Sequence, residues 1–188
     1  NFAVLNMQDE SLYPVDSLDG DAFYTGGAIS SVKALGDRFL IGGTFNQLAG
    51  SARDNLMMVN KNSGVLTGWN AQPTPVTITD TALMAYQTWS PLRNVLGTWN
   101  GRFIVSGDFD QLRGQACGHL ALVDTVLGGP LLSWQTNVNG RVNAMAIEGN
   151  TGYICGDFTS VGGEARNGLA AVDMSTGAVL PWAPAAVA

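Results

Sequence analysis

Charge is scarce in this sequence: 13% of its residues are Asp, Glu, Lys or Arg, about half the usual share. The nine Lys and Arg residues are scattered singly, so no basic stripe is present to follow a phosphate backbone, which excludes the usual nucleic-acid footprint. Histidine is confined to His119 and cysteine to Cys117 and Cys155. Two cysteines make no disulfide framework and lack CxxC metal spacing; each suits a small apolar gap, with a Cys117–Cys155 bridge as the alternative. No apolar run approaches the eighteen or so residues of a membrane span, and no stretch holds a 3.6-residue apolar period over ten or more positions. Membrane insertion and helical architecture are therefore not expected.

Glycine is abundant, 24 of 188 residues, and the apolar share is 46%. That combination fits a globular, tightly turned all-β chain. The net charge of −6 favours solubility more than any specific partner.

The most informative feature is a phrase repeated three times. It reads Ile41-Gly42-Gly43-Thr44-Phe45, then Asn55-Leu56-Met57-Met58-Val59-Asn60 and Trp69. It returns as Val105-Ser106-Gly107-Asp108-Phe109, His119-Leu120-Ala121-Leu122-Val123-Asp124 and Trp134. The third copy is Ile154-Cys155-Gly156-Asp157-Phe158, Gly168-Leu169-Ala170-Ala171-Val172-Asp173 and Trp182. A period of roughly fifty residues signals one supersecondary unit per repeat, each burying its apolar face against a neighbour.

Within a copy, four short extended runs are separated by turn residues. Val142–Ile147 alternates with period two and leads through Glu148–Gly152 into Tyr153–Phe158. Asp37-Arg38 and Asn100-Gly101 occupy the corresponding turns earlier. After a Gly-containing bend, Leu169–Asp173 forms a third run, and Ser175-Thr176-Gly177 turns the chain into a fourth at Ala178–Trp182. Four antiparallel strands per repeat make a propeller blade. The expected architecture is thus all-β, with β-propeller-like repeats of four-stranded antiparallel blades, about three and a half in number; a β-solenoid or sandwich is the alternative.

The expected organisation is a single array over 1–188: a half-repeat at 1–31, repeats at 32–70, 95–135 and 142–183, and an insertion at 71–94. Asn1–Asn6 occupies the slot of Asn55–Asn60, so the chain opens inside a repeat and reads as a segment of a larger protein. The insertion carries Tyr86 and Trp89, and long loops on rigid scaffolds are frequent binding sites.

The third copy, Gly156-Asp157-Phe158-Thr159-Ser160-Val161-Gly162-Gly163 through Val172-Asp173 and Thr176–Trp182, resembles the delta-sixty type β-propeller repeats of bacterial surface and phage proteins, of the kelch and galactose-oxidase-like kind. The second copy departs from that pattern at Cys117 and His119, and residues 71–94 match nothing in it. The resemblance implies a propeller-like fold and an extracellular, cell-surface or virion setting. It implies no shared reaction.

No residue is expected to be catalytic, and no metal or cofactor is expected. His119 lacks a neighbouring nucleophile or orienting group. Asp108 and Asp157, in Gly-Asp-Phe turns, are expected to bond local backbone amides, and no calcium-loop spacing is present. Trp69, Trp134 and Trp182 recur in one slot and are read as core. Arg53 and Arg166 share a loop slot where a five-donor guanidinium can clamp carbonyls. The ligand-binding candidates are Tyr86, Trp89 and Trp99, aromatic platforms outside the recurring slots. The expected function is a non-catalytic structural or recognition module whose partners are other blades or chains of its assembly; a carbohydrate-binding adhesin and a fragment of a secreted propeller enzyme are the alternatives.

Overall fold

A computed structural model describes residues 4–5, 12–13, 29–43, 45, 47–48, 51–53, 55–75, 92–126 and 128–184. Every element among them is a strand, and every pairing between strands is antiparallel. That pairing sets aside the parallel solenoid. The ladders also form no closed barrel among the described residues.

The repeat is visible as three equivalent three-stranded sheets. In the first, β3 (Ile29–Leu35), β4 (Arg38–Gly43) and β7 (Leu56–Asn60) lie in that order. In the second the strands are β9 (Leu92–Trp99), β10 (Arg102–Gly107) and β13 (Leu120–Val123). In the third they are β14 (Arg141–Glu148), β15 (Thr151–Asp157) and β18 (Leu169–Asp173). The short pair β1 (Val4–Leu5) and β2 (Leu12–Tyr13) precedes them.

The fourth strand of each blade shrinks to a single bridge: Val59 with Leu66, Val123 with Pro130, Val172 with Val179. Backbone bonds fix it on both sides, Asn60 N to Val65 O and Thr67 N to Met58 O in the first repeat, Asp173 N to Ala178 O and Leu180 N to Ala171 O in the third. The bend expected between the second and third runs is instead a small hairpin. It is formed by β5 (Gln47–Leu48) with β6 (Ser51–Ala52), by β11 (Phe109–Leu112) with β12 (Gln115–Ala116), and by β16 (Ser160–Val161) with β17 (Glu164–Ala165).

Two boundaries differ from the sequence expectation. Leu35 pairs with Arg38, so the first turn is Gly36-Asp37 and not Asp37-Arg38. The stretch expected as an insertion at 71–94 begins with β8 (Pro73–Pro75), which pairs with β11 of the following repeat; after Trp134, Val138 bridges Val161 in the same way. The segment after each of these tryptophans thus crosses to the next repeat, a long-range pairing that local composition does not reveal. Residues 76–91, with Tyr86 and Trp89, lie outside the described residues, and β9 already begins at Leu92.

Period-two alternation sends successive side chains to opposite faces, and the two faces of the first sheet, like those of the second, enter different cores. Leu40, Leu56 and Met58 on the first sheet meet Phe103, Val105, Ala121 and Val123 on the second, with Trp69 among them. Ile104, Leu120 and Leu122, on the other face of the second sheet, meet Val142, Ile154, Ala170 and Val172 on the third, with Trp134 among them. Ile41, Phe45, Met57 and Val59 form a third cluster on the first sheet's opposite face. The sheets therefore stack face to face, as blades do. Where Phe39 and Phe103 occupy one slot, the third repeat has Gly152; a Cβ there would clash with Met145 Cε and lie 2.6 Å from Met174 Sδ, so the two methionines fill the missing ring's volume.

Candidate functional site

Polar side chains converge where the Gly-Asp-Phe turns of the second and third repeats meet. Arg141, the first residue of β14, lies opposite Asp157 in the ladder. Its guanidinium reaches back to Asp108, with Nη2 donating to Oδ2 at 2.9 Å and Oδ1 at 3.1 Å and Nε to Oδ1 at 3.3 Å. Nη1 sits 3.7 Å from Asp157 Oδ2, which also accepts from Asn143 Nδ2 at 3.4 Å. One arginine thus spans two carboxylates on consecutive repeats. The fork matches carboxylate geometry, which a lysine would not reproduce.

This arrangement joins Asp108 and Asp157 through Arg141, a contact between repeats that the expected bonding to local turn amides did not include. Arg141 went unnoticed because its slot holds Pro91 and Ala28 in the other copies, so periodicity gave it no weight. Beside it, Ser106 Oγ donates to Val142 O at 2.7 Å and is fully buried. Val95 N donates to Ser31 Oγ at 2.8 Å, next to the bulge where Val95 pairs with Val105 but Gly97 with Ile104. Each bond joins one sheet to the next.

His119 is half-buried, its Nδ1 3.0 Å from Gly107 O; that contact places the proton on Nδ1, since a carbonyl only accepts. Its carbonyl accepts from Gly107 N as those of Asn55 and Gly168 accept from Gly43 N and Gly156 N, but it lacks their left-handed φ of 62° and 73°. In the second repeat the left-handed residue is Gly118, φ 64°, one place earlier.

The arginine slot acts as a clamp. Arg53 Nη2 donates to Thr67 O at 3.1 Å, and Arg166 Nη2 to Leu180 O at 3.0 Å, the same carbonyl of the fourth run in each repeat. In the second repeat Cys117 takes the slot; it is buried and free, and burial pushes its thiol up to about 12. Cys155 is also free and sits on the outward face of the third sheet. Trp69 Nε1 donates to Asp124 O at 2.7 Å, in the turn of the following repeat, whereas the buried Trp134 Nε1 has no partner among the described residues. Trp99 ends β9 beside the Asn100-Gly101 turn, half-buried and packed partly on the second core.

Among the described residues no group of three or more His, Cys, Asp or Glu side chains gathers to hold a metal ion. The chemistry available to the Arg141 cluster is electrostatic: it ties blades together and leaves an exposed Asp157 at its edge.

No protein-family model matches the chain, and no curated protein matches it. Among solved structures it is similar to one from a structural and mechanistic analysis of two prolyl endopeptidases, at 16% identity and a TM-score of 0.45. The likeness covers 84% of this chain and 19% of that one.

Proposed function

We propose that the chain is a non-catalytic structural and recognition module of a larger extracellular or virion assembly of the phage-tail kind. The observation that supports this reading is Arg141, which spans Asp108 and Asp157 across two repeats. Among the described residues the principal charged cluster is spent on joining sheets, and the hydroxyl beside it, Ser106 Oγ, is buried and bound to Val142 O. The low charge and high glycine content point the same way, as does the resemblance to surface and phage repeat proteins. An antibody raised against this chain tests it on fractionated source material: the chain should sediment with surface structures or particles, and recovery as a free cytosolic protein would overturn the reading.

A carbohydrate-binding adhesin is the second reading, favoured by the half-buried Trp99 at the tip of the β9–β10 hairpin. An indole so placed offers a stacking platform, to which Tyr86 and Trp89 would add. A glycan array run with the parent chain and with Trp99→Ala and Trp89→Ala separates the two readings. Binding that disappears in both variants without loss of folding selects the adhesin.

A further inference from the structure

We propose that the outward face of the third sheet, formed by Tyr153, Cys155, Leu169 and Trp182, docks a further sheet of this same repeat. That sheet stacks on it as the second sheet stacks on the first and the third on the second. The inference deepens the assembly-module reading and rests on it for its biological setting; its test needs no component of that assembly, so the two can fail separately.

The ground is positional equivalence within one molecule. Leu56 and Leu120 are fully buried at a slot where Leu169 is 38% exposed. Trp69 and Trp134 are each 2% exposed, and Trp182 is 44% exposed. Leu40 and Ile104 are fully buried where Tyr153 is only half-buried, and Gly42 and Ser106 are buried where Cys155 is half-buried. In the first two repeats these slots are closed by the aliphatic face of the next sheet, Val105 and Val123 in one case and Ile154 and Val172 in the other. The third repeat keeps Leu and Trp at two of these slots, has Tyr153 and Cys155 at the others, and lacks the cover among the described residues.

The chemistry of the partner follows. Tyr153, Cys155, Leu169 and Ala171 carry no formal charge, and Glu148 and Asp173 at one end of their face and Asp157 at the other are acidic, so the face matches neither a polyanion nor an acidic peptide. Trp182 meets Tyr153 edge to face at 5.2 Å, which holds the indole over the open sheet. Its equivalent, Trp69, spans the junction by donating to the backbone of the following turn. A second copy stacking head to tail offers no match, because Ile41, Met57 and Val59 on the opposite face of its first sheet are already buried. The occupant is therefore a further repeat with an aliphatic face of its own.

The test compares the parent chain with one in which a second copy of residues 135–188, its cysteine replaced by serine, follows Trp182. Maleimide labelling of Cys155 is the readout, with the buried Cys117 as internal control. In the extended chain Cys155 should label as slowly as Cys117, and the urea midpoint should rise. Leu169→Asp should leave the parent midpoint nearly unchanged and abolish the protection of Cys155 in the extended chain. Equal Cys155 reactivity in parent and extended chains overturns the inference, whether the added copy folds elsewhere or stays unfolded. A parent chain that sediments as a dimer with Cys155 protected also overturns it, since the face would then pair with itself.

Discussion

At the scale of single residues, the three tryptophans of one sequence slot separate by context. Trp134 is closed between two sheets, while Trp182 stands at the open end of the stack. Trp134→Ala should cost about 3–5 kcal/mol and Trp182→Ala below about 1 kcal/mol, read by urea denaturation of the parent chain. Equal losses would show that the third repeat is covered in solution. The recurrence of Trp was legible in the sequence; its unequal burial was not, because burial depends on whether a neighbouring sheet follows. The arginine clamp was half legible, since Arg53 and Arg166 share a slot, but the carbonyls they hold are fourteen residues away in sequence, on a run with no signature of its own.

At the scale of elements, the turn that closes each repeat is organised by one side chain. Asp173 Oδ1 accepts from Ser175 N at 2.8 Å and Thr176 N at 2.9 Å, and Asn60 Oδ1 accepts from Asn62 N and Ser63 N in the first repeat. Hydrogen bonds from the Ser175 hydroxyl, and then from the turn amides and the Thr176 hydroxyl, hold the Asp173 carboxyl below its ordinary value of 3.8. A depressed carboxylate favours the folded state above its unfolded pKa, and that contribution fades as pH falls through the folded value. An NMR titration should find Asp173 ionising below 3.8 in the parent and closer to it in Ser175→Ala; no upward movement would remove the serine from this role. Gly177, which ends that turn, has φ 79°, and a Cβ there would lie 2.8 Å from Gln135 N of the preceding repeat. Gly128 faces Asn70 C at 2.9 Å in the same way. Left-handed strain and a clash with rigid backbone add, so Gly177→Ala should cost about 2 kcal/mol or more; calorimetry showing an unchanged midpoint would mean the turn is not pressed on its neighbour. The Gly was legible as a turn residue, and the approach behind it was not.

At the scale of the whole molecule, stability should follow the order of the stack. The second sheet has neighbours on both faces and the third on one, and in arrays of repeats stability is approximately the sum of intrinsic terms and nearest-neighbour interfaces. Native-state hydrogen exchange should therefore find the slowest amides in β10 and faster ones in β14 and β18. Slower exchange in the third sheet than in the second would contradict stacking as the source of stability.

The repeats, the strands and most turns were determined by the sequence alone, because period-two alternation and left-handed turn residues are local properties. So was the shared slot of the buried leucines and tryptophans. The fourth strand's collapse to one bridge, the crossing of Pro73–Pro75 to the next repeat and the inter-blade bridge at Arg141 were decided only by tertiary structure. Each depends on a partner far along the chain. Arg141 shows why: a residue whose slot is filled differently in every repeat leaves no periodic trace, and its role appears only when Asp108 and Asp157 are brought to either side of it.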